Sequence, residues 1–274
     1  MYKKSISLFL LFVSSFLLAV EEKPLVIITA SYNNAEWYKK NLDSIFEQQY
    51  SNWRLIYIDD CSTDGTAALV DEYVAHYQQA QRVTILHNEQ WRGHLYNQYS
   101  AIHSCKPDEI ILIVDGDDWL AHDLVFAKIN EIYSSQDTWI TYGQFWYWKK
   151  NKLGFCKPLS LAVLASGLIR QKPWLTSHLR TFYAGLYQRI RYDDLQYKGA
   201  FYPMCADVAT MLPMIEMAGI HVSFIPEIMY IYNDANSLNI FSSHQEEQRR
   251  IEKEIRTKEH YTPLEIPPYF KELI

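Results

Sequence analysis

No two of the four cysteines in this 274-residue chain form a CxxC pair; Cys61, Cys105, Cys156 and Cys205 lie far apart. That spacing excludes a compact zinc site of the usual kind and gives no sign of a disulfide framework. Mostly reduced thiols are expected, with room for one bridge if the chain is exported. Basic residues are also short. Lys and Arg number 26 against 32 Asp and Glu, for a formal net charge of −6. A nucleic-acid partner requires a basic surface, so none is expected. Two glycine motifs that bind phosphate are missing as well. No GxGxxG follows the first strand-like run and no GxxxxGK[ST] occurs. Dinucleotide-binding dehydrogenases and P-loop enzymes are thereby disfavoured. Internal repeats and low-complexity segments are absent too.

Aromatic residues, by contrast, make up 15% of the chain, with 21 Tyr and 8 Trp. Each offers a stacking face and a polar tip, which suits sugars or bases, although most aromatics simply fill a core. The amino terminus stands apart. Lys3 and Lys4 precede an apolar stretch from Ile6 to Val20, followed by Glu21, Glu22, Lys23 and Pro24. A basic start and an apolar run of this size read as a signal peptide or short membrane anchor over residues 1–20. The run is shorter than the roughly 20 residues of a comfortable span. Membrane association through residues 6–20 is the partner this implies, with the remainder of the chain facing outward.

From Pro24 the pattern alternates. Strands are predicted at Leu25–Thr29, Arg54–Ile58, Val83–His87, Ile110–Val114, Trp139–Tyr142 and His221–Ile225. Helices are predicted at Ala35–Gln49, Thr66–Gln79, Leu95–Ser104, His122–Ser134 and Ala206–Ala218, the last ended by Gly219. Such alternation implies an α/β fold with a mainly parallel central sheet and helices on both faces. Arg170–Tyr197 carries a run of basic residues, Arg170, Lys172, Arg180, Arg189 and Arg191. Residues 236–274 read as a charged helical tail, a solvated helix held by surface ion pairs.

Two acidic clusters follow apolar strands directly. Leu55–Ile58 runs into Asp59-Asp60-Cys61-Ser62-Thr63-Asp64-Gly65-Thr66, and Ile110–Val114 into Asp115-Gly116-Asp117-Asp118-Trp119. Ligands of open α/β sheets bind at the carboxyl ends of strands, so both clusters belong on one rim. Carboxylates this close repel one another, and a site that keeps them usually holds a cation. A phosphorylated ligand on a divalent metal follows. The plainer reading is helix capping, which Asp, Ser and Thr also perform.

Together with Val26-Ile27-Ile28-Thr29-Ala30-Ser31-Tyr32-Asn33, these clusters, in this order and spacing, resemble family-2 glycosyltransferases of the GT-A nucleotide-sugar fold. The resemblance covers about residues 24–235, strongest in the first hundred. It implies a Rossmann-type nucleotide-sugar fold and transfer of a single sugar from a UDP- or GDP-sugar to an acceptor hydroxyl. Inversion and a Mn²⁺ or Mg²⁺ requirement are implied as well. The resemblance also assigns the residues. Asp117 and Asp115 would hold the metal, with Asp117 the direct ligand and Asp115 near the ribose. Ala30, Tyr32, Asn33, Asp59, Asp60, Arg92, Gly93 and Gly116 would complete the nucleotide-sugar site. Asp207, in Met204-Cys205-Ala206-Asp207-Val208, would be the general base, with Ala206 standing where the family often has Glu. After Asn88 the family commonly has a Gly followed by an Ala-Arg-Asn run; here Arg92-Gly93-His94-Leu95-Tyr96-Asn97-Gln98 stands instead, with Gly93 and Asn97 keeping part of it and Arg92 placed to reach a phosphate. Trp174, His178 and Arg180 would shape the acceptor or diphosphate side, and Trp146–Trp148 would stack on an acceptor.

The QxxRW signature of processive synthases is absent, which favours a single-sugar enzyme. A haloacid-dehalogenase-like phosphatase also places DxD after a strand but wants Thr or Val soon after it, where Asp118-Trp119 stands. A catalytically silent nucleotide-sugar- or glycan-binding module is the alternative from another class. Nucleotide sugars are cytosolic or lumenal, so an export signal agrees with this reading only in a secretory lumen or as an anchor on the cytosolic face. The acceptor, whether glycan, lipid or protein, is not legible.

Overall fold

The computed structural model describes residues 21–78, 80–238 and 245–270. The expected signal or anchor at residues 1–20 lies outside them. No helix among the described residues is long and apolar enough to cross a membrane.

The first half winds as its apolar runs dictate. Strands β1 (Leu25–Ser31), β2 (Trp53–Asp59), β3 (Val83–His87) and β4 (Ile110–Ile113) pair in parallel in the order β3-β2-β1-β4. β4 is buried at every position, as its unbroken Ile-Ile-Leu-Ile requires. The register sets Ser31 beside Asp59 and Ile28 beside Ile113, which brings both acidic clusters to one rim at the end of β1. Helices α1 (Tyr38–Phe46) and α2 (Thr66–Ala75) carry the first two crossovers and pack together. From β3 the chain must return across β2 and β1 to reach β4. A right-handed return therefore puts α3 (His94–His103) on the opposite face.

The second half departs from simple alternation. After the short β5 (Trp119–Leu120), α4 (Val125–Ser135) leads to β6 (Ile140–Tyr147) and a hairpin partner, β7 (Lys152–Leu153). After α5 (Leu161–Ser166) comes β8 (Arg180–Tyr183), which enters antiparallel between β4 and β6. Arg-Thr-Phe-Tyr is too short and too polar at its start to announce a strand. What holds it is buried hydroxyl pairing. Thr181 bonds Thr141 of β6 at 2.6 Å and Tyr133 of α4 at 3.0 Å. The one-turn α6 (Ala184–Tyr187) and the small hairpin β9 (Gln196–Tyr197) and β10 (Ala200–Phe201) precede α7 (Ala206–Ala218). β11 (Val222–Tyr232) runs parallel to β6, seven residues beyond the expected end at Ile225. Pro226 falls where the register shifts, between Ile225 and Ile228, so the break absorbs its missing N–H and the strand resumes. That continuation delivers Tyr230, Tyr232 and Asn233 to the acidic rim.

The charged tail is not wholly solvated. α8 (Gln245–Thr257) does carry surface ion pairs, Arg256–Glu252 at 2.7 Å and Lys258–Glu254 at 3.4 Å. Ile251 and Ile255, four residues apart, nevertheless give it an apolar stripe that is fully buried, and it packs on α7. All four cysteines are free thiols.

Candidate active site

The turn Asp115–Asp118 extends the β1–β4 pairing, with Val114 N–H donating to Ile28 O and Gly116 N–H to Ala30 O. Gly116 fits there for want of a side chain. A Cβ would lie 2.6 Å from both Cβ and Oγ of Ser31 and 2.9 Å from Asn34 Nδ2. Gly116→Ala is therefore expected to cost about 1–3 kcal/mol by overpacking. Urea denaturation would read this, and an unchanged midpoint would refute it.

Three groups hold the turn from below. Asn41 Nδ2 donates to the carbonyls of Asp115 (3.0 Å) and Asp118 (2.8 Å). The Tyr230 hydroxyl accepts from Asp115 N–H and donates to Asp118 Oδ2 at 2.7 Å. Asn233 N–H donates to Asp118 Oδ1 at 2.7 Å. Asp117 points elsewhere, its Oδ2 accepting from Asn236 Nδ2 at 2.8 Å. Burial raises the Asp117 carboxyl to about 6. Burial, then the charges of Asp117 and Asp115, raise Asp118 well above the usual carboxylate range. Asp115 goes the other way. Burial opposes its ionisation, but His94 and Arg180 outweigh that and hold it low.

The loop after β2 separates two jobs. Asp64 does the capping, its Oδ1 accepting from Thr66 N–H at 3.0 Å. Asp60 instead anchors the loop that leads into α3. Its Oδ1 accepts from Asn88 Nδ2 and Arg92 N–H, and its Oδ2 from Gly93 N–H, each at 2.8 Å. Asp59 Oδ2 accepts from Ser62 N–H at 3.2 Å, while its buried Oδ1 has no partner. Asn33, at φ 53°, ties β1 to this loop by donating to Ser62 Oγ and accepting from Thr63 N–H.

Opposite the acidic turn, α3 opens with His94, whose Nε2 lies 3.4 Å from Asp115 Oδ1. One turn on, Asn97 Oδ1 accepts from Asn88 and leaves its buried Nδ2 unpartnered. β8 opens with Arg180, and the segment leading into it carries His178. The His178 ring stacks on Tyr230 at 4.5 Å, and burial, aided by the Arg180 charge, pushes it down to about 3, so it is neutral. Asp207 sits in the first turn of α7, accepting from Val208 N–H at 2.9 Å. Burial raises its pKa against the opposing pull of Arg180.

These groups surround one cleft of about 380 Å³. Of the residues singled out in the sequence, Ala30, Tyr32, Asp60, Asp115, Asp117, His178, Arg180 and Asp207 line it. Asn33, Asp59, Arg92, Gly93 and Gly116 stand behind the lining. Trp174 is half-buried against the core and does not reach the cleft. Trp148 does not reach it either. It meets Trp119 edge-on at 5.2 Å, with Lys40 Nζ 3.6 Å from its ring centroid. His94, Asn97, Asn236 and Gln248 of α8, none of them assigned a role from the motifs, also line the cleft. His94 and Asn97 had a signal, a three-residue spacing just after Gly93. Asn236 and Gln248 had none.

The donor set suits a hard divalent cation. Asp115, Asp118 and His178 each place one ligand atom within 4.8 Å of the others. Asp115 Oδ1, buried and without a hydrogen bond, is an oxygen that a cation would satisfy. Asp117, expected as the direct ligand, lies outside that trio and faces the same cleft.

The model of glycosyl transferase family 2 matches residues 26–193, more than half of the chain. The chain belongs to that family. The match covers both acidic clusters and Arg180 and stops short of Asp207. A putative teichuronic acid biosynthesis glycosyltransferase, TuaG of Bacillus subtilis, is 29% identical over 98 residues, 35% of this chain and 38% of that protein. WfgD of Escherichia coli, a UDP-Glc:alpha-D-GlcNAc-diphosphoundecaprenol beta-1,3-glucosyltransferase, is 31% identical over 99 residues, 36% of this chain and 37% of that one. These alignments span well under half of each relative. Solved structures share the GT-A fold. S. aureus TarS in complex with UDP-GlcNAc superposes with a TM-score of 0.63 at 14% identity, over 85% of this chain and 65% of that one. The mannosyltransferase PcManGT of Pyrobaculum calidifontis, in complex with GDP-Man and Mn²⁺, gives 0.58 at 19%, over 91% and 67%. At such identity the likeness speaks for the fold alone.

Proposed function

We propose that this protein transfers a single sugar from a nucleoside-diphosphate sugar to an acceptor hydroxyl, with inversion and with a divalent metal. One observation carries the reading: Asp207, an acid–base group with a raised pKa, opens onto the same cleft as the Asp115–Asp118 turn. Membership of the family displaces the phosphatase alternative. In the reaction the acceptor oxygen bonds to the anomeric carbon as the bond from that carbon to the diphosphate oxygen breaks. The electron pair leaves with the diphosphate, and the acceptor proton passes to Asp207. Asp115 and Asp117 would hold Mn²⁺ or Mg²⁺, with Asp118 and His178, whose ligand atoms lie beside that of Asp115, completing the set. When bound, the ion would offset the charge on the leaving diphosphate. Asp60, Ala30 and Tyr32 would face the nucleoside.

Thermal melting in UDP, GDP and their sugars, with and without Mn²⁺, tests the donor site. A ligand at a hundred times its dissociation constant adds about 2.7 kcal/mol, a rise of roughly 5–10 °C for a chain of this size. The rise is expected to need the metal and to disappear in Asp117→Asn. If no nucleotide shifts the folded protein, there is no donor site. A metal-dependent shift without turnover would instead favour the silent-module reading.

A further inference from the structure

Among the described residues that line the cleft, five are aspartates (Asp60, Asp115, Asp117, Asp118 and Asp207), while Arg180 is the only Lys or Arg. Its side chain is only 5% exposed. One Nη2 lies 3.4 Å from Asp115 Oδ2 and 3.5 Å from His178 Nδ1, both long contacts. Among the described residues, its buried Nε has no hydrogen-bond partner. A buried guanidinium usually satisfies its fork with a bidentate acid, as Arg170 does here with Glu216 at 2.6 and 2.8 Å. Arg180 thus lines the cleft as a buried guanidinium held in place with hydrogen-bonding capacity to spare. His178, stacked on Tyr230, supplies a rigid neutral wall beside it.

We infer that Arg180 is the protein's own diphosphate-binding group, its free N–H donors engaging the phosphate that carries the sugar and stabilising it as it leaves. The assignment rests on the donor reading above and narrows the place of Arg180, expected on the acceptor or diphosphate side, to the leaving group. Asp115 is its ion-pair partner, at 3.4 Å. As the glycosidic bond breaks, the electron pair collects on the phosphate oxygen, and a fixed cation there is worth more in the transition state than in the ground state. Arg suits this better than Lys because its planar fork can meet two phosphate oxygens together.

The test compares nucleoside diphosphate with monophosphate, using UDP and UMP, and GDP and GMP, by calorimetric titration over a series of Mg²⁺ concentrations up to saturation. Arg180→Gln is expected to weaken diphosphate binding on the order of 10–100-fold while changing monophosphate binding by less than about threefold. Turnover of the nucleotide sugar is expected to fall about 10²-fold in kcat. Arg180→Lys, which keeps the charge and loses the fork, should fall between. It also carries the test if the Gln variant does not melt cooperatively. Equal losses for mono- and diphosphate, or no loss for either, would overturn the assignment. So would a loss that vanishes as Mg²⁺ is raised, because Arg180 would then act only through a metal at Asp115. A wild-type protein that binds no diphosphate at all removes the donor reading itself, a pattern distinct from a binding wild type with an unaffected variant.

Discussion

Asp207→Asn is expected to lower turnover by roughly 10²–10⁴-fold while leaving nucleoside-diphosphate binding within about twofold of wild type. The asymmetry is the diagnostic part. Asn is nearly isosteric with Asp, and its side-chain oxygen still accepts from Val208 N–H, so the start of α7 should hold. Only the capacity to take a proton is lost. The pH profile separates this role from a structural one. Burial raises the Asp207 pKa above 3.8, and a base works only when ionised. Activity should therefore be retained at neutral pH and fall as the pH drops through that raised value, at higher pH than an ordinary carboxylate would require. In Asp207→Asn the residual rate should lack this acidic limb. A variant that keeps both the rate and the limb would remove Asp207 from the chemistry.

The largest expected effect on stability lies away from the cleft. Arg170→Ala should destabilise the protein by about 3–5 kcal/mol, because it leaves the Glu216 carboxylate buried in the last turn of α7. The pair is nearly inaccessible, at 3% and 1% side-chain exposure. Arg170 also donates from Nη1 to Ile255 O at 2.7 Å, which ties α8 to α7. Glu216 would retain only Tyr261 N–H at 3.2 Å and the half-exposed His260 at 3.0 Å. A melting temperature about 10 °C lower is the expected reading. Replacing both partners, Arg170→Met with Glu216→Leu, should recover much of the loss, since the isolated charge is the costly element. A single variant that melts with the wild type would show the pair to be energetically idle. The pair also bears on function, because α7 carries Asp207 at its start and α8 supplies Gln248 to the cleft.

Strands β1 to β4, their order of appearance and the convergence of two acidic clusters on one rim were determined by the sequence itself. The apolar runs of β1, β2 and β4, each ended by turn residues at the rim, read as buried strands, and the more exposed β3 lies at the sheet edge. The boundaries of α7 were equally local, with Gly219 ending the helix at a positive φ. The second half was decided by tertiary structure. β8 has no apolar run to announce it, and its place between β4 and β6 depends on Thr181 meeting hydroxyls 40 and 48 residues away. The extension of β11 past Pro226 needed a neighbouring strand to absorb the break. Within the site, the sequence named the carboxylates but not their division of labour. Asp60 became a loop anchor because Asn88, Arg92 and Gly93 turn their N–H groups toward it. Asp118 was buried because Tyr230 and Asn233 arrive from more than a hundred residues away. The tail's charges concealed two isoleucines whose burial is visible only once α7 is beneath them. Local pattern specifies which segments can form strands and helices. Which polar side chains then share a cleft depends on partners that no short window of sequence contains.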